Sequence, residues 1–503
     1  MNRRDFLTQS AVPLLGAAAP APPRGERRNI LLIYMEQFQH DVASFAGGPA
    51  KTPNLEKFAA SAANFRTACT TTALCSPSRA ALFTGRLGHR THLQDNPYGW
   101  HTPFIALDLK QTTLVEWALK KGYFAGYFGK WHLGADGPIL RGVQRYTPTG
   151  FERPRVPGKT IEPDFSMAKR YYEKGRVFPE KPGFYATAPG AYETSHTGNV
   201  ARAGVAFLKE AQKLDQPFFL SVSFLAVHPP YNVPKPYSSM YDWRSVQLPV
   251  NLHDSFKNKP AYQPDIMWPF HDTGHMSDDD WRRCIAFYHG FVTMLDRALG
   301  EVFDALASNG FADNTLVVVL ADHGDMTGAH NRFDKGPYSY DEVMRVPLLV
   351  RWPDARPREI DRHVHSMDVN QTIVEWAGLQ PDIPNVDSRS LRPLIEGGDS
   401  GWDTPDEAFY RYEWYNGLWF GVRAIRTPEF KYCFNPGGID ELYDLRKDPG
   451  ELLNLIDTPA AAPVQHRLED RLLAHLDQVG DTLVAPRLKE YLAFNRARQQ
   501  RHP

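Results

Sequence analysis

Short apolar runs that alternate with polar or amphipathic stretches constrain the fold of this chain more than any other feature. Residues 30–34, 217–224 and 316–320 consist almost entirely of aliphatic and aromatic side chains. Such runs are typical of strands buried on both faces of a largely parallel sheet. Residues 112–121 have helical character and are followed by Gly122, the residue type that most often ends a helix. The pattern therefore predicts an α/β protein.

The same alternation continues towards the C-terminus and then changes. Further strands are predicted at 123–128 and 348–350, a helix is predicted to start at Thr52-Pro53, and another is predicted at 368–377. A polar, Gly-containing segment at 396–404 is typical of a domain linker.

Beyond the linker the pattern favours a second, smaller domain. Residues 409–415, 421–425 and 430–434 alternate like antiparallel strands, and 464–479 have apolar residues on one helical face. We therefore expect a large domain over 27–396 and a smaller antiparallel sheet with a helix over 405–495.

Two long segments with weak periodicity interrupt the large domain, at 145–195 and 229–278. Loops of this length are uncommon unless they shape a binding site. We expect them to form the part of the site that selects the substrate.

Composition excludes several classes of function. Lys plus Arg total 57 and Asp plus Glu total 58, so no global charge favours nucleic acid as a partner. Four cysteines are too few for a disulfide framework. No stretch after the N-terminus is long and apolar enough for a membrane helix, so an integral membrane protein is not expected.

The first 25 residues differ from the rest. The pair Arg3-Arg4 precedes a mild apolar stretch at 11–19, and small residues at 17–21 offer cleavage sites. The pattern predicts a twin-arginine signal peptide over 1–25, export by the twin-arginine machinery, and a periplasmic or secreted bacterial protein.

Polar residues suited to binding a metal or an anion follow several predicted strands. In open α/β sheets ligands bind beyond the carboxyl ends of the strands, so these side chains are expected to converge. They are Glu36 and Gln37 after the first strand, Lys130 and His132 after 123–128, His228 after 217–224, and Asp322 and His323 after 316–320.

The most specific motif is Cys75-Ser76-Pro77-Ser78-Arg79, followed by Thr-Gly-Arg at 84–86. It resembles the maturation motif of the sulfatase family. Gly-Lys-Trp-His at 129–132, Asp-His-Gly-Asp at 322–325 and the stretch at 441–451 match that family in the same order. The resemblance implies an alkaline-phosphatase-like fold, in which helices flank a central mixed sheet and a smaller C-terminal α+β domain follows.

The resemblance also implies a mechanism. In this family a maturation enzyme oxidises the motif cysteine, here Cys75, to formylglycine while the chain is unfolded. One hydroxyl of the hydrated aldehyde attacks sulfur, and the other then expels sulfate. Arg79 would position the formylglycine, and His228 would bind sulfate or protonate the leaving alcohol. The remaining sulfate-binding residues would be Lys130, His132 and Lys335.

The metal ligands implied by the resemblance are Glu36, Gln37, Asp322 and His323. An Asp-Gln pair occurs in the branch that includes choline sulfatases and phosphonate monoester hydrolases, so Gln37 fits. Glu36 departs from the family, because its extra methylene moves the carboxylate outward. The ligand set favours calcium and leaves magnesium and manganese open.

Alternatives remain open at this stage. A phosphonate or phosphate ester hydrolase is supported by Asn96, which lies where that branch has an anion-contacting asparagine, and is opposed by Lys130 and His132. A non-catalytic protein that binds sulfated glycans is opposed by the intact motif at Cys75. Family analogy favours a sulfated carbohydrate over a small sulfated molecule as substrate. The aromatic run at 410–415 is consistent with a carbohydrate platform or with an ordinary amphipathic strand.

Overall fold

A computed structural model describes most of the chain. The described residues are 27–97, 104, 106–134, 137–147, 183–264, 272–383, 386–398, 401–402 and 404–501. The predicted signal peptide and much of the 145–195 segment lie outside them.

The strands and helices are numbered in chain order. The strands are β1 (Asn29–Met35), β2 (Ala63–Phe65), β3 (Ala68–Cys69), β4 (Phe124–Gly129), β5 (Arg145–Thr147), β6 (Tyr185–Ala188), β7 (Phe218–Ser223), β8 (Tyr231–Pro234), β9 (Thr315–Ala321), β10 (Leu348–Arg351), β11 (Arg358–Ile360), β12 (Val364–His365), β13 (Ala408–Tyr415), β14 (Leu418–Arg426), β15 (Phe430–Phe434) and β16 (Glu441–Asp444). The helices are α1 (Pro53–Ala59), α2 (Cys75–Thr84), α3 (Gly88–Thr91), α4 (Leu114–Lys120), α5 (His196–Ala211), α6 (Asp278–Ser308), α7 (Asp341–Met344), α8 (Val369–Ala377), α9 (Arg392–Glu396), α10 (Ala462–Val479) and α11 (Ala485–Arg501).

A mixed sheet forms the centre of the large domain. Among the described residues it has eight strands in the order β11-β2-β10-β9-β1-β7-β4-β5. The strands β9, β1, β7 and β4 are mutually parallel, whereas β10 runs antiparallel to β9. Every residue of β1 and β9 is buried, which agrees with their continuous apolar sequences. The predicted α/β class with a mixed sheet and flanking helices is confirmed.

The boundaries of the predicted elements shift only slightly. The helix expected at 112–121 spans Leu114–Lys120, because Thr113 is its cap and its backbone N–H donates to the Glu116 carboxylate at 2.8 Å. The strand expected at 123–128 is β4, shifted by one residue.

The longest helix was not predicted from the sequence. Helix α6 spans 31 residues and starts directly after the 229–278 segment. Ser277 caps it by accepting a hydrogen bond from the Asp280 backbone N–H. The helix packs against α5 and α1 beside the sheet.

The C-terminal region is a four-stranded antiparallel sheet in the order β13-β14-β15-β16, covered by α10 and α11. Side chains on its helix-covered face, including Leu468 and Leu472, form one buried cluster. Its other face belongs to a second buried cluster that includes Leu74 and Tyr338 of the large domain. The sheet therefore joins the large domain through an extensive buried surface. Strand β16 and helix α11 were not predicted.

Within the described residues, every helix is too short or too polar to serve as a membrane-spanning segment.

Candidate active site

The four strand ends expected to converge do meet at one edge of the sheet. Met35 of β1 pairs with Ala321 of β9, so Glu36 and Asp322 leave the sheet side by side. On the other side of β1, Ser223 of β7 pairs with Tyr34. The parallel arrangement thus places the polar residues after these strands around one point.

A glycine lets the chain bend sharply where β4 ends. Gly129 has φ of +100°, and a Cβ there would lie 1.9 Å from the Ser223 carbonyl oxygen. The turn allows the Lys130 N–H to donate to the same oxygen at 2.9 Å. It directs the Lys130 ammonium into the site, 2.5 Å from Glu36 Oε1. A side chain at position 129 would displace this lysine.

Cys75 is the first residue of α2 and lies at the centre of the site. Its Sγ donates to Glu36 Oε1 at 2.9 Å and lies 3.4 Å from His323 Nε2. The residue is 1% exposed. Burial and the charge of Glu36 raise the pKa of the Cys75 thiol, so the unmodified side chain is a neutral hydrogen-bond donor.

Arg79 lies one helical turn after Cys75, on the same face of α2. Its Nη2 donates to Glu36 Oε2 at 2.7 Å and its Nε to Asp322 Oδ2 at 3.1 Å. Its Nη1 donates to the Lys130 carbonyl at 2.8 Å, and the guanidinium lies 4.5 Å from the Tyr34 ring centroid. Burial opposes the charge, but Asp322 and Glu36 outweigh it and raise the pKa of Arg79 well above its usual value. Arg79 thus fixes both carboxylates.

The ligand atoms of Glu36, Cys75, Asp322 and His323 all lie within 4.8 Å of one another. His323 Nδ1 is 2.8 Å from the Gly324 carbonyl, an arrangement that leaves Nε2 directed at Cys75 as an acceptor. Burial lowers the pKa of His323, which favours the neutral ring that a metal requires. Carboxylates with one imidazole suit a hard divalent cation, so this donor set fits one.

The two carboxylates have opposite pKa shifts. At Glu36 burial opposes ionisation, but Lys130 and Arg79 outweigh it and hold the pKa well below its usual value. At Asp322 burial and the charge of Glu36 raise the pKa to about 7. Glu36 is therefore ionised at neutral pH, and Asp322 gains a proton readily.

Gln37 is held in one orientation by two carboxylates. Its Nε2 donates to Asp325 Oδ2 and to Asp334 Oδ1, each at 2.7 Å. Its Oε1 consequently faces Lys335, whose Nζ donates to it at 2.8 Å. Asp334 was not predicted as a site residue, although it directly precedes Lys335 in the chain. These contacts present the amide oxygen of Gln37, the atom that a hard cation would take.

Lys335 and His228 form a hydrogen-bonded pair beside Gln37. Lys335 Nζ donates to His228 Nε2 at 3.2 Å and to Asp334 Oδ1 at 2.8 Å. Burial and the neighbouring Lys335 lower the pKa of His228 to about 3. Burial opposes the Lys335 charge, but Asp334 outweighs it and raises the lysine pKa well above its usual value. At neutral pH the lysine carries the proton of this pair.

The other predicted residues also lie at the site. Asn96 Oδ1 accepts from the Ser76 N–H at 3.0 Å, and its Nδ2 is 3.9 Å from Cys75 Sγ. The His132 carbonyl accepts from Ser76 Oγ at 2.6 Å, and burial together with Lys130 lowers the pKa of the His132 ring. The cations, the carboxylates and Cys75 therefore form one buried group suited to holding an anion and a divalent metal together.

Two family models match the chain. Residues 28–379 match the model described as sulfatase, and residues 328–478 match that of the C-terminal part of N-sulphoglucosamine sulphohydrolase. Among curated relatives, the sulfatase YidJ of Escherichia coli K12, described as uncharacterised, is 28% identical, and the match covers 91% of this chain and 88% of the relative. Choline-sulfatase of Rhizobium meliloti is 27% identical, and the match covers 89% of this chain and 87% of the relative.

Solved structures share the fold. The phosphonate monoester hydrolase of Agrobacterium radiobacter superposes with a TM-score of 0.71 at 24% identity and covers 90% of this chain and 96% of its own. An enzyme solved in complex with its substrate, D-glucosamine-2-N,6-O-disulfate, superposes with a TM-score of 0.72 at 20% identity, and the match covers 91% of this chain and 99% of that enzyme. The expected resemblance to the branch with choline sulfatases and phosphonate monoester hydrolases is confirmed.

Proposed function

The chain belongs to the sulfatase family and is a sulfuric ester hydrolase, and from that premise we propose a formylglycine-dependent mechanism acting on a sulfated carbohydrate. The nucleophile is made from Cys75. The observation that carries the proposal is the position of its Sγ, 2.9 Å from Glu36 Oε1 and 3.4 Å from His323 Nε2, one helical turn before Arg79.

A divalent cation, with calcium favoured, completes the site in this proposal. It would be held by Glu36, Gln37, Asp322 and His323. When bound, the cation supplies positive charge to the sulfate oxygens and lowers the pKa of the nucleophile. Calcium is favoured because three of these residues offer oxygen atoms.

The chain's own residues bind and orient the reacting groups. Arg79 fixes the two carboxylates through bonds of 2.7 and 3.1 Å and so sets the position of the first turn of α2. The ammonium of Lys130 binds the sulfate oxygens together with His132. Lys335 and His228 hold a proton between them, and we assign the protonation of the leaving alcohol to this pair.

The carbohydrate substrate is supported by more general considerations. The long segments at 145–195 and 229–278 offer enough surface to enclose an extended alcohol. A structurally similar enzyme was solved with a sulfated glucosamine.

Mass spectrometry of the tryptic peptide 67–79, from protein made in its native host, tests the nucleophile. We expect Cys75 as an aldehyde and Cys69, in the same peptide, as a thiol. A plain thiol at Cys75 in all of the native protein would contradict the mechanism.

Two alanine variants form a matched pair for the turnover assay. Cys75→Ala should abolish hydrolysis of an aryl sulfate, whereas Cys69→Ala should retain it, because Cys69 contacts Tyr410 and lies outside the site. Cys75→Ser should also be inactive unless the host's maturation enzyme accepts serine. Comparison of an aryl sulfate with a phenyl phosphonate separates sulfatase activity from the phosphonate alternative.

We also propose that residues 1–25 direct export by the twin-arginine machinery. Cys75 is 1% exposed, so a maturation enzyme must act before folding, and export of the folded, matured enzyme fits that order. Replacing Arg3 and Arg4 by lysine should retain the protein in the cytoplasm. Periplasmic accumulation of that variant, measured by cell fractionation, would overturn the export proposal.

A further inference from the structure

The tip of the β13–β14 hairpin lies against the site. Asn416 and Gly417 form the two-residue loop of the hairpin, with φ of +51° and +81°, respectively, as Asn-Gly hairpin turns require. The Gly417 N–H donates to Asp95 Oδ2 at 2.9 Å. Asp95 precedes Asn96, which contacts the first turn of α2. The tip is therefore fixed beside the residues that surround Cys75.

Two tyrosines of β13 lie on the side that meets the large domain. Tyr412 and Tyr415 both belong to the buried cluster shared with that domain, and their ring centroids are 6.2 Å apart. Residues separated by three positions face opposite sides of a regular strand. The pairing is irregular here, because Tyr412 pairs with Val422 and Trp414 with Trp419, so β14 carries one extra residue between these two pairs. This β-bulge in β14 lies opposite the stretch between the two tyrosines, where the hairpin departs from regular geometry.

The same cluster places these rings near Cys75 and near Lys335. It contains Leu74, the residue before Cys75, and Tyr338, which lies three residues after Lys335. Burial raises the pKa of the Tyr415 phenol, and the nearby charges of Asp334 and Lys335 and the Cys75 thiol also act on it. Tyr415 and Tyr338 are each 8% exposed, so both rings reach the edge of the buried region.

The Tyr412 hydroxyl is buried and has no hydrogen-bond partner within the part of the chain that the structure describes. Buried polar groups are nearly always paired, so this hydroxyl requires an explanation. Other tyrosines of the same cluster are paired. Tyr410 lies 3.0 Å from Cys69 Sγ, and Tyr340 donates to Gln263 at 2.7 Å. The unpaired hydroxyl belongs to Tyr412, whose ring is next to that of Tyr415.

We propose that Tyr338, Tyr412 and Tyr415 bind the alcohol half of the substrate, and that their hydroxyls select an alcohol with several hydroxyl groups, as in a sulfated sugar. This inference rests on the proposed function and deepens it. Burial raises the pKa of Tyr338 to about 12 and also raises the pKa values of Tyr412 and Tyr415, so each phenol keeps its proton and can donate at neutral pH. Choline offers no hydroxyl once it is esterified, so it would gain nothing from these groups.

Substitution of tyrosine by phenylalanine tests the hydroxyls and keeps the rings. We expect Tyr415→Phe to lower kcat/KM for a sulfated monosaccharide about 2- to 10-fold, as for the loss of one hydrogen bond. The value for choline sulfate or a plain aryl sulfate should stay unchanged. Tyr410→Phe is the matched control, since its hydroxyl contacts Cys69, and it should change neither value.

Binding to the Cys75→Ala protein, measured by calorimetry, separates this inference from the proposed function. Weaker binding of the sulfated monosaccharide in Tyr415→Phe/Cys75→Ala, with unchanged binding of inorganic sulfate, supports the inference even if the parent shows no turnover. Equal binding of the sugar with and without the Tyr415 hydroxyl overturns it. A larger loss for choline sulfate than for the sugar also overturns it, because the rings would then form a cation-binding cage. If the parent hydrolyses sulfate esters and Tyr415→Phe has the same kcat/KM as the parent on every substrate, the inference is overturned and the proposed function stands.

Discussion

Shortening Glu36 by one methylene tests how tightly the site is built around its unusual carboxylate. Glu36 is fully buried, and its oxygens accept from Lys130 at 2.5 Å, from Arg79 at 2.7 Å and from Cys75 at 2.9 Å. In Glu36→Asp the carboxylate retracts by about 1.5 Å, the length of one C–C bond. Bonds of 2.5–2.7 Å then become contacts of about 4 Å, beyond hydrogen-bonding distance. The aspartate can approach Arg79 or Lys130, but not both.

The loss of one hydrogen bond between charged groups costs about 1.5–3 kcal/mol. Since about 1.4 kcal/mol corresponds to a factor of ten, kcat/KM for an aryl sulfate should fall about 10- to 150-fold. The calcium concentration for half-maximal activity should rise, because the carboxylate no longer reaches the position that it shares with Asp322 and His323. Steady-state assays across a calcium titration measure both quantities.

Glu359→Asp makes the same chemical change at an exposed position and serves as control, since the Glu359 side chain is 65% exposed. It should leave both quantities unchanged. The reasoning fails if kcat/KM of Glu36→Asp stays within about twofold of the parent value at every calcium concentration. The bonds from Arg79 and Lys130 would then not depend on the longer side chain.

Three further predictions address the cation, the Lys335–His228 pair and the pH dependence of stability. Calcium binding near pH 7 should release protons, because the pKa of Asp322, raised to about 7, falls when a cation binds; calorimetry in buffers of different ionisation enthalpy measures this release. Lys335→Met should lower kcat/KM about 10- to 150-fold through loss of a charge-assisted bond, while the aldehyde content of residue 75 stays that of the parent by mass spectrometry. Burial lowers the pKa of His289 to about 4, so the neutral form favoured by folding is fully present above about pH 6.5 and stability is lost as pH falls towards 4. From that shift His289 costs about 2 kcal/mol at pH 5, and denaturant unfolding of His289→Phe should show a correspondingly smaller loss between pH 7 and 5 than the parent.

The sequence predicted the parts of the molecule that follow from buried strands. Strands β1 and β9 are continuous apolar runs, and the rule that parallel strands end at one edge was enough to bring Glu36 and Asp322 together. The bounds of these strands differ from the prediction by one residue at most at each end.

The contacts that hold Gln37 could not be predicted in this way. They join Gln37 to Asp325 and Asp334, nearly three hundred positions away in the chain. Gln37 and Asp334 both have positive φ, at 56° and 67°, which nothing in the local sequence indicates. Such loops take their shape from the groups they meet after folding.

Two other omissions had usable signals. Ser277 followed by Asp280 is a helix-start pattern that could have located α6, although the charged residues that open that helix hide its apolar face. Asn416-Gly417 is a hairpin signal that would have joined β13 to β14. The position of Tyr415 in the same buried cluster as Tyr412 has no comparable signal, because residues three positions apart on a regular strand face opposite sides.

The pairing of β1 with β9 also limits how this site can change. Met35 and Ala321 are register partners in adjacent parallel strands, and the Asp322 N–H donates to the Met35 carbonyl, so the backbones that carry Glu36 and Asp322 are held at the spacing of adjacent strands, about 4.8 Å. That spacing cannot be adjusted gradually, since a shift in register moves a strand by a whole residue and turns its side chains to the other face. The distance between the two carboxylates can therefore be tuned only in steps of one methylene, by exchanging aspartate and glutamate. Glu36 is therefore one of the two acidic residues that the strand spacing permits at this position. A search for variants with altered metal preference has few positions and few residue types to explore.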